Sequence, residues 1–177
     1  MQSESQRYPI GQYSPPATIE REERDAWIAE LERLPANLRA AVAGLNEEQL
    51  DTRYRPGGWT VRQVVHHLAD GHLNSYTRFR LALTEDIPVI KPFDETAWAE
   101  LPDAKSGPIE PSLKLLDGLH ERWVLMFRGL SDADFKRTYR HPDRSAPVIL
   151  DSTLGYFAWH CCHHVAQIAA LRRRKGW

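Results

Sequence analysis

Eight histidines are spread along the chain, and six of them fall into two clusters. One reads His66-His67, four further residues, then His72; the other reads His160-Cys161-Cys162-His163-His164. Neutral imidazole is the commonest metal ligand among side chains. His160 and His164 are four apart, so on a helix they lie one turn apart on one face. Two imidazoles so placed reach a single metal, as in the H-E-x-x-H helix of zinc proteases. No glutamate stands between them here, which removes that protease chemistry.

Each helical residue advances about 100° around the axis. On that wheel His164 lies at the edge of an apolar stripe and His160 just beyond it, both towards an interior. His163 points away or to a neighbouring surface. The third ligand stays open. His72 lies at the centre of its own stripe and reads as a core histidine. His67 lies on one flank, beside Val64 and Gly71, and His66 on the other, near Asp70. His120 lies on the core face of a third segment, as packing or as a group that supports a ligand. Trp59, Trp123 and Trp159 read as core; Trp159, next to His160, is also a candidate for the pocket wall. Cys161 reads as a small buried hydrophobe, and Cys162 is directed away from the His160/His164 pair.

Four long helical patterns must position these side chains. The first spans residues 18–44, with Pro35 expected to kink or split it and Gly44 to stop it. The second spans 60–84 and opens on Thr60 with Gln63, the form of a capping box. The third spans 112–129, with Ser112 as its cap. The fourth spans 152–174 and carries the second histidine cluster. A proline-rich connection, 86–111, holds a short helix (95–100) opened by Asp94. A second connection, 137–150, has room for an extended piece but no sheet. The fold class that follows is all-α: a four-helix bundle whose long connections close one end of a pocket. Residues 1–177 form one domain, with 1–13 as an irregular N-terminal arm.

Composition limits the function classes. A chain of 177 residues, 42% hydrophobic and 27% charged, builds a globular core. A net charge of -1 gives no general attraction to nucleic acid or to an anionic membrane. The basic run Arg172-Arg173-Arg174-Lys175 suits the last turn of a helix. No apolar run approaches the roughly 18 residues of a membrane span, and residues 1–13 lack the apolar core of a signal peptide. The only cysteines, Cys161 and Cys162, are adjacent and cannot staple a fold, which fits a reducing cytoplasm.

Longer stretches carry a family resemblance. Pro56-Gly57-Gly58-Trp59-Thr60, continuing through His66-His67-Leu68-Ala69-Asp70, and Trp159-His160-Cys161-Cys162-His163-His164-Val165-Ala166-Gln167-Ile168 resemble the YfiT branch of the DinB-like metalloenzymes. Lys91-Pro92-Phe93-Asp94-Glu95, Leu119-His120-Glu121-Arg122-Trp123 and His141-Pro142 match as well. The likeness covers residues 8–172 in order. It implies a four-helix bundle with a metal, zinc or nickel, held by three histidines that match His67, His160 and His164 here. It also implies a homodimer and the label of metal-dependent hydrolase, with bacillithiol-type thiol S-transferases among related proteins. Cys161 and Cys162 stand where relatives often carry glycine and a basic residue.

Three neutral histidines leave coordination positions open, as catalytic sites do. Two enzyme chemistries follow: hydrolysis by activated water, with Asp70, Glu95 or Asp94 as the base, and transfer of a small thiol to an electrophile. The thiol's polar tail would need a cation such as Arg78, Arg80 or Lys91. A third reading is a non-catalytic, metal-binding stress protein. The partner in either enzyme reading is a small molecule, with no nucleic acid and no membrane.

Overall fold

The computed structural model describes residues 2–177. Among them, four long helices form the bundle: α2 (Arg21–Val42), α4 (Val61–Thr84), α7 (Glu110–Arg128) and α9 (Leu150–Lys175). Short helices α1 (Gln2–Arg7), α3 (Glu47–Leu50), α5 (Glu95–Ala99), α6 (Pro102–Ser106) and α8 (Asp132–Phe135) fill the connections. No described helix is long and apolar enough to cross a membrane.

Apolar residues at helical spacing draw the long helices together. On α2, Ile28, Leu31, Leu34, Leu38 and Val42 are buried; on α7, Leu113, Leu116, Trp123, Val124 and Phe127 are. The core centres on Trp123, which meets Phe79 at 5.6 Å and Phe127 at 5.5 Å between ring centroids. Arg62 is only 2% exposed. It pairs with Asp51 and Glu47 and donates to the Gly107 carbonyl, fixing the start of α4 against both flanking connections.

α4 opens as its sequence indicates: Thr60 accepts from the Gln63 backbone and Gln63 returns a bond to Thr60 N–H. Asp94 caps α5 through Ala97 N–H. Three expectations are corrected. α7 starts two residues early, at Glu110, and the Ser112 hydroxyl bonds His66 Nδ1 at 2.8 Å instead of capping; Pro111 sits in the first turn, where its missing N–H costs nothing. The connection 137–150 does form a sheet, the two-residue ladder of β1 (Thr138–Tyr139) and β2 (Val148–Ile149). The N-terminal arm is helical over Gln2–Arg7 rather than irregular throughout; Met1 lies outside the described residues.

α2 runs unbroken through Pro35. A proline in a helix interior removes the bond that residue i−4 would accept, here the Leu31 carbonyl's. Burial of Leu31, Leu34 and Leu38, each 1% exposed or less, holds the helix across that gap.

α9 is buried on more than one side. It packs chiefly on α2 and also on α4, α8 and α1. His163, expected to point away or to a neighbouring surface, meets such a surface in the arm and is 5% exposed. It stacks on Trp159 at 4.5 Å, beneath Tyr8 of the arm at 5.5 Å.

Candidate metal centre

α4 and α9 bring His67, His160 and His164 together, with one nitrogen of each within 4.8 Å of the others. His160 Nε2 lies 3.2 Å from His67 Nε2 and 3.1 Å from His164 Nε2. A tetrahedral ion with nitrogens at about 2.0–2.1 Å has ligand edges of about 3.3–3.4 Å. The donor set and its spacing fit a divalent metal. Trp59 packs against His67 with ring centroids 4.5 Å apart and the planes tilted by 46°.

Burial keeps these rings neutral. It lowers the His67 pKa to about 4, helped by the charge of His163. His160 and His164 are driven well below the ordinary histidine value by burial and then by the neighbouring imidazoles. A neutral ring offers a lone pair, and a ligand must offer one. Each ligand on α9 is also held from behind. Gln167 Oε1 faces His164 Nδ1 at 2.9 Å, while Gln167 Nε2 donates to the Arg7 carbonyl at 2.9 Å. His160 Nδ1 faces His72 Nε2 at 3.2 Å, and His72 Nδ1 faces His120 Nε2 at 2.8 Å. His72 and His120 thus stand behind a candidate ligand and not in the pocket. Gln167 escaped the sequence reading, although its position three residues after His164 placed it within reach.

His67 and His160 open onto a cavity of about 750 Å³. Both connections supply its walls: Phe93 and Glu95 from one, Tyr139, His141 and Arg144 from the other. Tyr13 at the end of the arm, Pro15 just after it and Tyr156 of α9 also line it. Gly155 permits the arm's approach, since a Cβ there would lie 2.7 Å from Tyr13 Oη and 2.9 Å from Trp27 Cη2.

The acidic candidates separate. Glu95 lines the cavity, and its carboxyl is pushed up by burial against the opposing charge of Arg78. Asp70 is pushed to about 6 by burial and by Asp103, but it does not line the cavity. Asp94 is occupied as the cap of α5. Of the cations, Arg78 lines the cavity while Arg80 and Lys91 do not; Arg80 donates to Tyr76 Oη instead. Among the described residues Arg78 has no ion-pair partner, and its buried Nε meets no acceptor. Trp159 is not in the cavity wall: it stacks on His163 and donates to the Gly11 carbonyl at 3.2 Å, pinning the arm. Cys161 and Cys162 stay outside the cluster as thiols, pushed up by burial, Cys162 to about 11.

Known proteins share this arrangement of chain and helices. Residues 30–168 match the DinB superfamily. The chain is 52% identical over 177 residues to a Bacillus subtilis protein named "Putative metal-dependent hydrolase YfiT", covering 100% of this chain and 99% of that one. It is 52% identical over 171 residues to a "Putative metal-dependent hydrolase" of Geobacillus thermodenitrificans, covering 97% and 96%. A solved structure described as "YfiT from Bacillus subtilis is a probable metal-dependent hydrolase with an unusual four-helix bundle topology" matches with a TM-score of 0.95, over 98% of this chain and 99% of that one. By sequence and by fold, this chain belongs to the DinB superfamily, in its YfiT branch.

Proposed function

We propose that the protein is a metal-dependent hydrolase of a small molecule. The observation that carries this reading is the convergence of three neutral imidazoles, with the Nε2 atoms of His67 and His164 at 3.2 and 3.1 Å from that of His160, beside a cavity large enough for a small substrate that His67 and His160 line. Bound there, a divalent ion such as zinc or nickel supplies a Lewis acid with open coordination positions. The chain's residues do the rest. Glu95, its affinity for protons raised by burial, accepts the proton of the attacking water. Tyr156, a protonated phenol whose pKa is raised further by partial burial, lines the same cavity and donates towards the leaving group. The arm and both connections wall the cavity around these groups. The test offers ester and amide substrates to metal-loaded protein. Turnover that stops with a chelator and returns with metal is the expected result; turnover indifferent to the chelator overturns the reading.

A second reading has its own support. Arg78 faces the cavity without a carboxylate partner, which suits the anionic tail of a low-molecular-weight thiol transferred to an electrophile. Thiol-dependent conjugate formation, with no hydrolysis in the absence of thiol, decides for transfer. A metal-loaded protein with neither activity is a binding module.

A further inference from the structure

One histidine of the cluster is the end of a chain of hydrogen bonds that crosses the bundle. His160 Nδ1 meets His72 Nε2 at 3.2 Å, His72 Nδ1 meets His120 Nε2 at 2.8 Å, and His120 Nδ1 meets the Leu31 carbonyl at 2.6 Å. The last atom decides all the others. A carbonyl oxygen only accepts, so His120 Nδ1 carries the hydrogen and donates it. A neutral imidazole has one donor and one acceptor. His120 Nε2 therefore accepts, His72 Nδ1 donates, His72 Nε2 accepts and His160 Nδ1 donates. What is left on His160 is the Nε2 lone pair, aimed at His67 and His164.

The Leu31 carbonyl is free to start this chain because of Pro35. In an uninterrupted helix it would accept from the N–H of residue 35, and proline has none. Leu31 is fully buried, so its orphaned carbonyl needs another donor. His120 of α7 is that donor.

We propose that Pro35, acting through the Leu31 carbonyl, sets a directional relay in which His120 and His72 are positioning residues that hold His160 in the one tautomer able to ligate through Nε2. The relay rests on the metal reading of the site and adds to it a reason for the proline inside α2. Gln167 does the same for His164 over a shorter path, because its bond to the Arg7 carbonyl turns its Oε1 towards His164 Nδ1.

The test begins with metal-free protein labelled with ¹⁵N-histidine. Long-range ¹H–¹⁵N correlations at neutral pH are expected to show His72, His120 and His160 as Nδ1–H tautomers. His160 as Nε2–H in the wild type overturns the relay, whatever any variant does. Zinc affinity is then measured by competition with a chromophoric chelator. His120→Phe removes the acceptor for His72 and is expected to lower zinc affinity by about 10–100-fold. His120→Gln keeps an acceptor there and is expected to recover most of that loss. Pro35→Ala returns a competing N–H to the Leu31 carbonyl, and the relay predicts opposite signs: higher thermal stability of the metal-free protein, weaker zinc binding. A purely structural network predicts that affinity follows stability. Zinc binding unchanged in His120→Phe overturns the relay alone. A wild type that binds neither zinc nor nickel overturns the metal reading, and the relay's role with it.

Discussion

The histidines that face one another across α4 and α9 differ in how readable they were. His160 and His164 followed from their spacing alone. His67 did not, and the reason is physical: every residue from 61 to 69 is buried, so that part of α4 has no exposed face against which a wheel can orient His66, His67 and His72. The family resemblance supplied what periodicity lacked. His163 lies outside the cluster as expected, yet is buried, because α9 buries two faces where a wheel assumes one. His160→Ala or His164→Ala is expected to abolish zinc binding in a titration while the far-ultraviolet spectrum stays helical, since the apolar stripes do not include them. Retained binding in both variants sinks the assignment. Acidity gives a second prediction. His67, His120 and His163 hold folded values near 4, against an ordinary value of 6.5. Between those values the unfolded chain binds more protons, so stability rises with pH across that window and levels off above it. Asp70, raised from 3.8 to about 6, and Glu95, also raised by burial, act in the opposite direction but are two groups against a larger set of lowered histidines. Denaturant midpoints of metal-free protein are therefore expected to climb from pH 4.5 to about 6.5; a flat or falling profile contradicts neutral buried histidines.

Helix types and order were legible because four stripes of apolar residues each repeat with the helical period. Boundaries were legible where a side chain makes the cap, as at Thr60 and Asp94, and not where another partner claims it, as His66 claims Ser112. Pro35 was read as a kink or a split because its lost hydrogen bond is visible in sequence and the buried donor that satisfies the Leu31 carbonyl, His120, lies 85 residues further on. Thr60→Ala is expected to lower stability by about 1 kcal/mol through loss of its cap on α4, measured by chemical denaturation. Gly155→Ala tests how the arm is seated. The new methyl meets the Tyr13 hydroxyl and the Trp27 ring. It is expected to cost about 1–3 kcal/mol by overpacking. It also frees residues 8–13 for faster proteolysis than in wild type.

The whole molecule is a bundle whose connections carry the pocket, and the length and helical periodicity that made one helical domain expected could not place those connections. Metal binding has a measurable consequence at this scale. A ligand at about 1,000 times its Kd adds about 4 kcal/mol of stability. For a domain of this size each kcal/mol moves the melting temperature by roughly 2–4 °C. Saturating zinc is thus expected to raise it by roughly 8–16 °C, reversed by chelator; a shift of under a degree means that the three imidazoles do not share an ion. The arm makes the same event visible to a protease. The Arg7 carbonyl is one hydrogen bond from Gln167 and two from His164. Arg7 is exposed, and a tryptic cut after it turns that carbonyl into a free carboxylate. Residues 2–13 are thereby a latch behind His164, and the speed of that single cut is a clock for how often the latch lifts, expected to run slower in protein saturated with zinc.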